Sequence, residues 1–153
     1  MEDLRMPAYV DTPITVRFGE TDMMGVVYHA NYLLYFEDAR EDFLEHNDFS
    51  YFRDIEEQGY TSPIHEVNVK YSRPMRFGDE GYVRTTIAQN KPLRTTYHHR
   101  IFLNSQDPET EPPIIDAHVT VCVVDRKNFK LVNIKRTFPE LFERYEAAKE
   151  NAV

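Results

Sequence analysis

With one cysteine, no tryptophan and five glycines in 153 residues, the chain closes several routes at once. Cys122 has no internal partner for a disulfide, and its place in the apolar run from Ala117 to Val124 suits a buried thiol better than a nucleophile. Positive charge is in deficit, 18 basic residues against 26 acidic, and a net charge of -8 repels nucleic acid and anionic membrane at long range. Long apolar runs are missing too. Met1 to Tyr9 carries both charge signs and a proline, not the basic-then-apolar order of a secretion signal. The reading is a cytoplasmic protein with no membrane insertion and no nucleic-acid partner.

What is present suffices for one core. At 41% hydrophobic residues the chain can bury a single domain over 1–153 without disulfide or metal staples. Its charge is uneven. From residue 70 to 100 the basic residues are Lys70, Arg73, Arg76, Arg84, Lys91, Arg94 and Arg100, against only Asp79 and Glu80. A basic window on an acidic chain suits a small polyanionic ligand, and it equally suits the charged outer faces of strands.

Residues Ile14 to Phe18 alternate apolar and polar as a half-buried strand does, and run into Gly19 and a polar corner at Glu20-Thr21-Asp22. From Ala30 to about His46, Tyr32, Tyr35, Phe36, Ala39 and Phe43 recur at helical spacing, with Leu33, Leu34 and Leu44 widening the apolar surface. The front half of this helix is apolar nearly all round. After a connection from Phe49 to Ser62, period two returns: Val67, Val69 and Tyr71; Val83, Thr85 and Ile87; Thr95 to Leu103; Ala117 to Val123; and a last strand near Phe129 to Ile134. Short turn signals between them predict an antiparallel meander, and Pro139 opens a terminal helix containing Leu141, Phe142 and Tyr145. A sheet with one apolar face needs a covering layer, and the long helix is the candidate. The expected fold class is α+β: a hotdog fold, with an antiparallel sheet of five to six strands wrapped around one long central helix and a short C-terminal helix. A ferredoxin-like fold would need a second helix between strands, and Ile64 to Ile134 has no helical period.

The chemistry concentrates between Arg17 and Arg40. Asp22 sits on a strand-to-helix connection, followed by Gly25 and the apolar approach Val26-Val27-Tyr28-His29 to a helix N-terminus. N–H groups in a helix's first turn lack internal partners and carry partial positive charge, so they can hold the oxyanion that forms when a thioester is attacked. This stretch resembles the signature of the 4-hydroxybenzoyl-CoA thioesterase family, including its Tol-Pal-associated acyl-CoA thioesterase branch: Asp, two residues, Gly, an apolar pair, an aromatic, then His or Tyr before the central helix. Tyr71-Ser72-Arg73-Pro74 with Gly78-Asp79 is similar to that family as well, so the likeness spans about residues 12–145.

The resemblance implies an acyl-CoA thioesterase in which Asp22 acts as nucleophile or as general base for water, with no cofactor. It implies that N–H groups near Tyr28 and His29 hold the thioester oxygen, that His29 belongs to the site through its ring or only its backbone, and that Gly25, Val26, Asn31 and Tyr32 border the substrate. Asn31 is also a helix-cap candidate. Phe18 stands where the Tol-Pal branch often has tyrosine, which moves the chain toward the 4-hydroxybenzoyl-CoA type. CoA phosphates would draw on Lys70, Arg73, Arg76 and Arg94. Adjacent His98 and His99 point to opposite faces of a strand, while His65 and His118 read as isolated, so no metal site is expected. An unpaired sheet edge favours a homodimer or homotetramer with the active site shared between subunits. Two other functions stand against this one: a hotdog dehydratase or hydratase using His29 and a helix carboxylate such as Glu37, and a non-catalytic module that binds acyl-CoA.

Overall fold

The computed structural model describes residues 9–150. Strand β1 (Val10–Thr15) turns Val10, Thr12 and Ile14 inward. It lies upstream of the expected Ile14–Phe18 strand because the Glu20 carboxylate folds back to accept the Arg17 N–H at 2.9 Å. That bond closes a 3-10 turn over Phe18–Glu20 and leaves Phe18 exposed.

Helix α1 (Tyr32–His46) buries Tyr32, Tyr35, Phe36, Ala39, Phe43 and Leu44 along one face, as its three-and-four spacing requires. Ala30 and Asn31, expected at its start, belong instead to a 3-10 turn over His29–Asn31. Leu34 is exposed, so the front half of the helix is not enclosed all round within one chain. Helix α2 (Tyr51–Asp54), capped by Ser50, and strand β2 (Tyr60–Thr61) follow.

Strands β3 (Ile64–Tyr71), β4 (Glu80–Lys91), β5 (Arg94–Leu103) and β6 (Ile115–Val121) complete a sheet in the order β1-β4-β5-β6-β3, with every neighbour antiparallel. The meander is therefore confined to β4, β5 and β6. Strand β3 pairs with β6 at the far edge, and the segment after Tyr71 must cross to β4. It does so past the front of α1, where the Met75 N–H donates to the Tyr32 hydroxyl at 3.1 Å. The inner face of the sheet, including Val83, Ile87, Tyr97, Ile101, Ala117 and Val119, packs with the buried face of α1 in one core.

No strand forms from Phe129 to Ile134 as expected. Asp125 accepts the Lys127 N–H at 2.8 Å, and Phe129 adopts a φ of 57°, which turns the chain back too tightly for extended pairing. Strand β7 (Val124–Asp125) instead pairs with β2, and Asn133 caps a short helix, α3 (Ile134–Thr137). Helix α4 (Pro139–Ala147) has the expected proline at its start and buries Leu141 and Tyr145.

Candidate active site

Asp22 stands on a loop that is hydrogen-bonded at nearly every step. Its own N–H donates to Val26 O at 2.9 Å, the Gly25 N–H donates to Asp22 O at 3.0 Å, and Gly25 closes the turn at a φ of 76°, a conformation that glycine adopts without penalty. The Asp22 carboxylate accepts the Met24 N–H at 2.8 Å, leaving its remaining lone pairs to the cleft beside it. Val27 N–H then donates to Met75 O at 2.8 Å, tying the loop to the crossing segment.

Glu20, which the motif reading passed over, is the anchor beneath this loop. Its side chain is buried, accepting from the Arg17 side chain at 2.9 and 3.1 Å and from the Tyr35 hydroxyl at 2.8 Å. Burial alone would raise its pKa; hydrogen bonds from the Arg17 backbone, Tyr35 and the Arg17 side chain outweigh that and hold it below the usual carboxylate value. Tyr35 is pushed up in turn, by burial first and then by Glu20. The Glu20 carbonyl accepts from both the Tyr28 N–H and the Asn31 side-chain amide, each at 2.9 Å. The only sequence hint was an Arg-x-x-Glu spacing, which is common in turns.

These bonds correct two expectations. The Tyr28 N–H is committed to Glu20 and is not free to hold an oxyanion, and Asn31 braces the loop instead of capping α1 or facing the cleft. The N–H groups of His29 and Ala30, one and two residues on, make no backbone hydrogen bond among the described residues.

Asp22, Val26, His29, Tyr32, Tyr71 and Arg73 line one open cleft of about 210 Å³ at the front of α1. The Tyr71 hydroxyl donates to His29 O at 3.0 Å, and the two rings meet edge to face, so β3 fixes the turn that carries the His29 and Ala30 N–H groups. Tyr71 thus lines the same cleft, although period two marked it only as part of one strand face. Arg76 pairs with Val26 through its backbone close by, and Lys70 precedes Tyr71 on β3. Arg94 lies apart, at the start of β5, opposite the strand end that reaches the cleft. Glu37 opens onto a different groove, with Arg40 and His99, so the His29–Glu37 pairing of a hydratase is not assembled within one chain. His118 is not isolated, because β5 and β6 set it opposite His98.

A sheet wrapped on one long helix, with Asp22 and His29 lining a cleft at the helix front, is the arrangement of the hotdog thioesterases. The chain belongs to the thioesterase-like superfamily, whose model matches residues 16–142. It is 35% identical over 137 residues to YneP of Bacillus subtilis (strain 168), provisionally named an acyl-CoA thioesterase, covering 90% of this chain and 95% of that one. It is 30% identical to the acyl-CoA thioester hydrolase YbgC of Escherichia coli O157:H7, covering 77% and 84%. Among solved structures, a DHNA-CoA thioesterase from Staphylococcus aureus superposes with a TM-score of 0.81 at 34% identity, covering 90% of this chain and 88% of that one.

Proposed function

We propose that the protein hydrolyses the thioester of an acyl-CoA, releasing the free acid and the CoA thiol, with Asp22 as its catalytic carboxylate. The observation that carries this reading is the shared cleft: Asp22 and His29 line the same space, and the N–H groups of His29 and its neighbour Ala30 make no backbone hydrogen bond among the described residues. A thioester carbonyl oxygen accepting from those N–H groups would gain their stabilisation as it becomes an oxyanion. Asp22 then either adds to the acyl carbon, expelling thiolate and leaving an anhydride for water to open, or takes a proton from the water that adds. Both routes break the same C–S bond. The His29 ring, packed between Tyr28 and Tyr71, has the role of holding that turn in place, which deepens the backbone reading of this residue.

The same reading makes the working unit a dimer. Among the described residues strand β3 has neighbours on one side only, and Ile64, Val67 and Tyr71 are exposed along it. Two β3 edges paired antiparallel about a two-fold would cover these residues and bring the Ile64 end of one chain beside the Tyr71 end of the other. Arg94, remote within its own chain, would then approach the partner's cleft and join Lys70, Arg73 and Arg76 around the CoA phosphates. Thiol-release assays over aromatic, short-chain and long-chain acyl-CoAs test the proposal, with Asp22→Ala expected to abolish release for whichever substrate the protein prefers. No release from any acyl-CoA, together with measurable binding, would favour the non-catalytic module.

A further inference from the structure

The outer face of the sheet holds a second cluster of functional side chains that the thioesterase reading does not use. The β5–β6 register sets His98 opposite His118 and Arg100 opposite Asp116. The two imidazole rings stack at 4.2 Å, and Asp116 reaches diagonally so that its Oδ1 lies 2.7 Å from His98 Nε2. One ligand atom each from His98, Asp116 and His118 falls within 4.8 Å of the others. The other ring nitrogen of His98, Nδ1, meets the Glu150 carboxylate. Glu150 arrives on the C-terminal segment that pairs along β4, its N–H donating to Ile87 O at 2.9 Å, and its carboxylate also accepts the Thr86 hydroxyl at 2.6 Å.

Both ring nitrogens of His98 therefore face carboxylate oxygens. A neutral imidazole carries one proton, so one nitrogen would point a lone pair at an anion; that position calls for a second proton or for a cation. The surroundings favour the cation. A carboxylate on the far nitrogen is the arrangement that orients a metal-binding histidine, fixing the tautomer with Nδ1–H toward Glu150 and Nε2 toward the ligand position. The Asp116 side chain is 39% exposed while that of His98 is 7% exposed, so an ion held there would be backed by protein and open to water on one side. Donors of a tetrahedral zinc ion stand roughly 3–3.5 Å apart, given bonds of about 2.0–2.2 Å, which small side-chain rotations reach from the observed spread.

We propose that His98, Asp116 and His118 form a binding site for a divalent cation of the zinc class, with Glu150 buttressing His98 and the C-terminal segment clamped to β4 when the ion is held. Two imidazoles and one carboxylate select a borderline transition metal over magnesium or calcium. The site is separate from the Asp22 cleft, so it serves structure or regulation, not the hydrolysis itself. Chelator-treated full-length protein, titrated with ZnCl2 by calorimetry and with CoCl2 by visible spectroscopy, tests it. One ion per chain is expected, with ligand-field bands for cobalt and a raised Tm with zinc. His118→Ala and Asp116→Asn should each weaken binding by at least about tenfold, the scale at which even outer partners of a metal site act, while Cys122→Ser leaves it unchanged. Absence of cobalt bands and of zinc heat, or binding that survives both substitutions, would overturn the proposal and leave the cluster as a histidine hydrogen-bonded between two acids.

Discussion

Glu20 does its work without touching the cleft. Its carboxylate gathers Arg17 and Tyr35, its carbonyl gathers Tyr28 and Asn31, and together these bonds set the approach to α1. Glu20→Gln keeps the shape but loses the charge that strengthens these contacts. It is expected to destabilise the fold by about 1–3 kcal/mol, the range for hydrogen bonds to a buried charged group. Chemical denaturation checks the stability, and a lowered kcat with intact CoA affinity would show the loop relaxing. Acid should act on the same residue. With its folded pKa held below the ordinary 4.5, Glu20 contributes stability that is complete above that value and is lost as pH falls below it. His99 acts earlier. Burial, joined by Arg40, pulls its pKa from 6.5 down to about 3, so the unfolded chain takes up a proton that the folded one refuses. Stability should therefore decline from about pH 6.5 downward and steepen below 4.5, read as the denaturation midpoint across pH; a midpoint flat between pH 7 and 4 would contradict it.

At the scale of elements, legibility followed local period. The buried face of α1 was readable because three-and-four spacing is a property of consecutive residues, and the inward faces of β4, β5 and β6 because alternation is too. The position of β3 was not readable. Its own sequence alternates like a core strand, yet it borders the sheet, and only its pairing with β6 rather than β4 decides that. The region after Asp125 failed for a related reason: a side-chain turn and the positive φ of Phe129 override residues with strand propensity. In the candidate site, the place of Asp22 on the loop ahead of α1 was legible from the motif, whereas Tyr28's commitment to Glu20 and Tyr71's bond to the His29 carbonyl depend on contacts between distant residues. The β3 edge also has a direct test. Val67→Lys would set two ammonium groups against each other wherever two such edges pair. Light scattering is expected to show a shift toward monomer, with hydrolysis lost in step; an unchanged mass would remove the β3 edge as the interface.

The molecule as a whole divides its labour between two faces of one sheet. The inner face grips α1 and, at the helix front, supports the loop of Asp22; the outer face carries His98, His118 and the Glu150 carboxylate. Thioesterase-like membership fixes the class. Hydrolysis as proposed needs the Asp22 carboxylate and the His29 N–H on opposite sides of the reacting carbonyl. Its most direct measurement is the rate of CoA release by Asp22→Asn, a substitution that keeps the side chain's size and its bond to Met24. The expected result is a fall of roughly 10²- to 10⁴-fold in kcat, the contribution of a positioned acid–base group, with oligomeric mass unchanged. Release at the wild-type rate would contradict the central role given to Asp22.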